Sequence, residues 1–234
     1  MKNKYFGDIN DYKKYGILRI LSDSGKIRTG VCWMLTEDNN ENDGKFTSYL
    51  EKPTKWRKYD PLLFDALHYS LNTVNTRNVE AAEELKLIDN TYYFTKVLQH
   101  KNPEREEYFN DFDTNAANCD LIFFDPDNGI EVNSCPSGRK NSPKYLYWEE
   151  IIKCYEAGHS LLIYQHFPRI ERKLFISQIS ENIKAKLDVD TVINFQTSNV
   201  LFIFIPQTNM KEYYLENSKK VEHTWKDEIK LSTV

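Results

Sequence analysis

The stretch DLIFFDPDNGIE, residues 120–131, decides the fold. Four apolar residues without alternation, Leu121–Phe124, read as a strand buried on both faces. Pro126 and Gly129 close it: one fixes φ, the other permits a positive φ. A strand that runs straight into an acid-rich turn suits a parallel sheet, where loops at the carboxyl ends carry ligands. Asp125, Asp127 and Glu131 put three carboxylates within seven residues. Such a cluster is costly to assemble unless it meets a cation, a proton or hydrogen-bond donors, although an Asx-turn with surface acids has the same composition.

Outward from there, strands and helices alternate. Ser160–Gln165 is a second buried strand, and Arg28–Thr36 and Tyr92–Leu98 are two more. Helices are expected over Asp8–Ser24 (Asp8 as the cap), Asp60–Leu71 (Pro61 in the first turn), Asn78–Ile88, Pro103–Asn115, Tyr145–Ala157 and Arg169–Leu187. Thr191–Gln196 and Asn199–Pro206 lie too close for a crossover and must pair antiparallel. The expected fold is therefore α/β: a Rossmann-like, mostly parallel sheet with helices on both faces and an antiparallel hairpin at its C-terminal end. One domain over 1–234 is expected, with a helical region near 60–118 as a possible insert; the tail after Lys211 has no clear pattern.

The chain has 234 residues, 40% of them hydrophobic, enough for a real core. A formal charge of −4 excludes a generally basic nucleic-acid wrapper, so any such contact needs a local basic face. Lys52, Lys55, Arg57 and Lys58, interleaved with Trp56 and Tyr59, are the candidate for RNA or DNA, with a solvated connection as the plainer account. Cys32, Cys119, Cys135 and Cys154 form no C-x-x-C pair, which argues against zinc. Polar sequence follows Met1–Tyr5 at once, and no apolar run reaches membrane length, so a cytoplasmic protein without a membrane segment is expected.

Gln165, His166 and Arg169 follow the strand after the acidic loop and are expected beside it. His166 can serve as base, metal ligand or phosphate donor, or merely cap a helix. Asp11 and Lys14 stand at i,i+3, which fits a surface ion pair or, with Tyr15, a group aimed into a cleft. Glu37, Asp38, Glu41 and Asp43 form a second acidic cluster at a strand end, read as a solvated loop.

GDINDYKKY (Gly7–Tyr15) resembles the G-N-x-x-D-x-x-K-H element of the large-subunit J-type ribosomal RNA adenine-N6 methyltransferases. LIFFDPDNG (Leu121–Gly129) resembles their L-I-x-x-D-P-P-Y strand and loop, LIYQHFPRIERKLF (Leu162–Phe175) the following strand and helix, and SNVLFIFIP (Ser198–Pro206) the last strand. The similarity covers about half the chain and extends loosely to three-cysteine-motif partner proteins. It implies a class I fold using S-adenosylmethionine. Asp125, Pro126 and Asp127, with His166, would form the catalytic set; Asp11, Lys14, Tyr15, Thr36 and Asp38 would lie at the cofactor. Where the family has a glycine-rich loop, this chain reads Thr36-Glu37-Asp38-Asn39-Asn40. Asp127 and Asn128 replace the family's second proline and aromatic residue, leaving Tyr164 or Phe167 to stack on a base. Three functions stay open: methyl transfer to nucleic acid or another macromolecule; a metal-dependent nuclease or phosphoesterase holding Mg²⁺ or Mn²⁺ on Asp125, Asp127 and Glu131; and a degenerate partner subunit, marked by a cleft closed by its own side chains.

Overall fold

The computed structural model describes residues 1–37, 46–75 and 77–234. Among these, one seven-stranded sheet runs β2-β1-β3-β6-β8-β7-β9. Its strands are β1 (Thr29–Cys32), β2 (Thr91–Phe94), β3 (Leu121–Phe124), β6 (Ser160–His166), β7 (Ile193–Gln196), β8 (Val200–Ile205) and β9 (Lys230–Thr233). β2, β1, β3 and β6 are mutually parallel; β8 pairs antiparallel with both β6 and β7, and β9 antiparallel with β7. Five strands thus point one way, and their carboxyl ends share one rim. The sheet is Rossmann-like in that arrangement.

Both faces are covered. Along β8 the pattern VLFIFI sends Val200, Phe202 and Phe204 to one core and Leu201, Ile203 and Ile205 to the other. Helices α1 (Ile9–Leu21), α3 (Pro61–Tyr69) and α8 (Lys211–Thr224) cover the first face. Helices α5 (Asn102–Ala116), α6 (Trp148–Glu156) and α7 (Arg172–Leu187) cover the second. The strands carry apolar residues continuously because both sides are dry.

Several elements differ from their sequence patterns. The expected strand Arg28–Thr36 stops at Cys32, since Met34 turns at φ 45°; only Leu35 rejoins, bridging Val97 beyond the end of β2. The expected helix Asn78–Ile88 shrinks to α4 (Ala81–Glu84), ended by Lys86 at φ 49°. Tyr145–Leu146 is not helical but forms β5, paired in parallel with β4 (Gly129–Ile130). The unplaced tail becomes α8 and β9, whose backbone bonds to β7 set it at the sheet edge. Within the span 60–118, β2 joins the sheet and α5 covers it.

α1 and α8 meet at Gly16. A methyl group there would lie 2.2 Å from Cζ2 and 2.7 Å from Cε2 of Trp225, whose ring is fully buried and stacks on Tyr59 with centroids 5.0 Å apart. Alanine favours a helix interior by about 1 kcal/mol over glycine. Overpacking against an immobile indole costs about 1–3 kcal/mol and should win. Gly16→Ala is therefore expected to destabilise the protein in urea unfolding; an equal or higher midpoint would contradict this packing.

Candidate functional site

Asp125 ends β3, and its amide donates to the Cys32 carbonyl, which fixes the residue at the rim between β1 and β3. From the opposite side α1 projects Lys14 one turn beyond its start. Asp8 caps that start, accepting the amides of Asn10 (2.8 Å) and Asp11 (2.9 Å). Helical spacing then puts Asp11 and Lys14 on one side. Lys14 Nζ lies 2.6 Å from Asp11 Oδ1 and 2.7 Å from Asp125 Oδ2. All three are nearly inaccessible, at 1%, 3% and 3% exposed. The rings of Tyr15, Trp33 and Phe123 surround the ammonium at 5.0–5.7 Å. The second oxygen of Asp11 accepts the Gly7 amide at 2.9 Å.

Burial works against the Lys14 charge, but Asp11 and Asp125 outweigh it and hold the lysine above its ordinary range. One cation serves two carboxylates. Asp125 is accordingly pushed up, because burial exceeds the help it gets from Lys14. Asp8 is raised from 3.8 to about 7 by burial, then by repulsion from Asp11. Asp127 goes the other way: burial raises it, but the Met1 amine at 2.8 Å more than compensates, and its carboxyl falls below the ordinary value. Burial lowers His166 against the opposing pull of Asp127, favouring a neutral imidazole. Its Nε2 lies 3.1 Å from the Tyr164 hydroxyl.

Asp11, Lys14, Asp125, Pro126, Asp127 and His166 line one cavity of about 40 Å³. The acidic turn, the amino-terminal helix and the histidine after the next strand therefore share one site. The cavity opens into a groove of about 340 Å³ that also takes in Lys2, Tyr5, Asp8, Asn10, Phe46, Asn128, Lys144 and Tyr164. The loop between is stapled by Gln165. Its Oε1 accepts the Ile130 amide at 2.8 Å and its Nε2 donates to the Asn128 carbonyl at 3.2 Å. Gly129 must be glycine: φ is 118°, and a Cβ would stand 2.3 Å from Gln165 Oε1. Gln165, expected beside the loop, is thus its anchor.

Other expected members fall elsewhere. Tyr15 is fully buried behind Lys14 and packs edge-on to Trp33. Thr36 stands at the edge, its hydroxyl donating to Asp127 Oδ2 at 3.2 Å. Glu131 turns away from Asp125 and Asp127 to accept the Trp148 amide at 2.9 Å, at the start of α6. Those three carboxylates do not converge, and among the described residues no group of three or more His, Cys, Asp or Glu side chains is placed to hold a metal ion. Asp38, Glu41 and Asp43 lie outside the described residues. Phe167 packs on Phe175, which leaves Tyr164 as the aromatic wall.

The aromatic members of the basic segment are largely buried. Trp56 is only 8% exposed and packs on Tyr49 and Tyr59. Arg57 forks onto Asp65 with both bonds at 2.7 Å, Lys58 meets Asp227 at 3.2 Å, and Lys55 lies 3.8 Å from Glu228. Lys52 is exposed at the start of α2 (Pro53–Trp56). Sequence spacing cannot show that carboxylates from distant segments answer these charges. It also gave no sign of Tyr5, Asn10 or Phe46, isolated side chains that only the folded chain gathers. No family model, curated protein or solved structure matches this chain. Among the described residues, no helix is long and apolar enough to cross a membrane.

Removing the shared cation should strand two buried carboxylates. Lys14→Met is expected to cost about 3–5 kcal/mol in denaturant unfolding, and adding Asp125→Asn should restore part of it. A neutral single variant would show that Lys14 is not the keystone. Asp8 gives a separate pH signature. With its folded pKa above the unfolded value, the fold binds its proton more readily, so that stabilisation is present below about pH 4 and is lost as pH climbs towards 7. Asp8→Asn keeps a capping oxygen and should flatten the stability profile over that window, measured by urea midpoints at a series of pH values. An unchanged slope would remove Asp8 as its source.

Proposed function

We propose that this chain is a class I methyltransferase-type scaffold that binds a planar, hydrogen-bonding group such as a nucleobase in the groove beside Asp125 and His166. The strand order supports the scaffold. A parallel set ends at β6, and one reversed strand, β8, lies between β6 and β7. A parallel sheet that ends in an antiparallel hairpin is the feature it shares with that class; β9 extends the sheet beyond β7.

The groove supports the ligand. Tyr5, Phe46, Tyr164 and His166 supply rings, and Asp8, Asn10, Asp127 and Asn128 supply donors and acceptors. Rings stack on any base face, and carboxylates and amides read base edges. About 340 Å³ lies at the small end of ligand sites, which suits a base or nucleoside.

S-adenosylmethionine does not fit the described residues as they stand. Its place in such a fold is the crevice above the carboxyl ends of β1 and β3. Met1, only 4% exposed, lies across that crevice: its carbonyl accepts the Thr36 amide at 2.9 Å, and its amine donates to the Met34 and Asp125 carbonyls at 3.1 Å. Trp33 and Met34, which follow β1, are fully buried, one in the core on each face of the sheet. No glycine stands among Trp33–Glu37, the described residues that follow β1. The single observation behind the binding role is this filled crevice beside an open polar groove. A methyl-transferring protein is the second reading. It is favoured by Asp125-Pro126 at the rim, and it requires Met1 to leave the crevice.

Isothermal titration with the four ribonucleosides and with S-adenosylmethionine separates the two. Binding of at least one nucleoside is expected, loosened about tenfold by Tyr164→Ala. Heat from S-adenosylmethionine would move the assignment to the second reading. Silence from all five compounds at millimolar concentration would end both.

A further inference from the structure

Beside the groove lies a second cavity, of about 560 Å³. Arg139, Lys140 and Lys144 line it together with Asn128, Ser134 and Asn141, and its lining holds no carboxylate. This is unusual in a chain of net charge −4, whose other basic side chains in this region have acidic partners. Arg105 has Glu150 at 2.6 Å, Lys96 has Asp111, and Lys153 has Asp113 at 2.7 Å. No acidic side chain of the cavity wall stands opposite these cations. The two cavities share Asn128 and Lys144 and so are contiguous.

The wall is held in place. β4 and β5 pair at its base, closing the loop 131–144, and the Asn128 amide donates to the Lys144 carbonyl at 2.9 Å. Arg105, 3% exposed, clamps the far side by donating to the carbonyls of Ser142 (3.2 Å) and Tyr145 (2.8 Å). Tyr147 donates its hydroxyl to the Cys135 carbonyl at 2.7 Å, and the Ser142 amide donates to the Arg139 carbonyl at 2.8 Å. The pinned backbone of the loop needs no ordering on binding, so the remaining cost is that of fixing the exposed side chains of Arg139 and Lys140.

We propose that this cavity is a phosphate subsite, in which Arg139, Lys140 and Lys144 take the phosphoryl group of a ligand whose base lies in the adjoining groove. The position of the base rests on the groove assignment above; the phosphate contact does not. Arginine and lysine are the side chains suited to it, arginine by its fork and lysine as a point charge. The phosphoryl group belongs either to a mononucleotide or to the backbone of a strand.

The test titrates the protein with adenosine, adenosine 5′-monophosphate, inorganic phosphate and an adenosine pentanucleotide, at several salt concentrations. Wild-type protein is expected to bind the monophosphate at least tenfold more tightly than adenosine. For the strand, log affinity should fall against log salt with a slope of about −2 if three cations meet phosphates. Arg139→Gln with Lys140→Gln should remove the monophosphate's advantage, flatten that slope and leave adenosine binding unchanged. Both residues are exposed, so the melting temperature of the double variant should match wild type. Tighter binding of the strand than of the monophosphate identifies a backbone; the reverse identifies a mononucleotide. If phosphate and the monophosphate bind through these residues while adenosine does not, the groove assignment falls and the subsite stands. If the monophosphate binds no better than adenosine, or the double variant changes nothing, the subsite is overturned.

Discussion

The buried lysine between two carboxylates is the constraint on which the rest of the site depends. Lys14 comes from the first helix and Asp125 from the central strand, 111 residues later. An ammonium at 1% exposure must be compensated or it will not stay charged. Asp11 and Asp125 supply that compensation only if α1 crosses the rim of β1 and β3 in one orientation. The helix start is then fixed, and with it Asp8 and Asn10 over the groove. An ion pair in such a place is weak evidence for added stability, since its desolvation offsets most of the attraction. Its effect is to specify geometry: any other packing of α1 leaves a bare charge indoors.

Close packing enforces the same orientation. Gly16 lets the α8 corner bring Trp225 against α1, and Tyr12 meets that indole edge-on at 4.9 Å. The Tyr12 hydroxyl also donates to the Trp56 carbonyl at 2.9 Å, so α2 and α3 are tied to the same helix. The aromatic richness of the chain is largely spent on this face of the sheet. It does not line the ligand groove, where Tyr5, Phe46 and Tyr164 are the exceptions.

The basic wall and part of the polar wall come from one loop, entered at Asp125 and left at Tyr145; Asp8 and Asn10 at the start of α1 and Tyr164 and His166 of β6 complete the polar wall. Gln165 sets the position of the loop's first part and Arg105 that of its last. Asp8 and Asp127 line the groove together with Lys2, while the second cavity is lined by cations without a carboxylate, and Asn128 and Lys144 belong to both. Such a division suits a ligand with a neutral or cationic hydrogen-bonding part and an anionic part.

Much of this could be read from local pattern. The uninterrupted apolar runs at 121–124 and 161–163 required strands buried on both faces, Asp8 announced its cap and Pro61 its helix start, and the short connection at 197–198 required an antiparallel pair. These follow from near neighbours, whose energetics the sequence contains. It also placed Asp125, Asp127 and His166 at strand ends that a parallel sheet brings to one rim, and Lys14 on the first helix. The tertiary structure alone decided what those groups face. It turned an i,i+3 pair from a surface ornament into a buried keystone, sent Glu131 to the start of α6, and paired the basic run at 55–58 with Asp65, Asp227 and Glu228. Charge compensation and burial depend on partners in other elements, 8 residues away for Arg57 and Asp65 but 111 for Lys14 and Asp125 and 169 for Lys58 and Asp227, and one-dimensional spacing carries no record of which will meet.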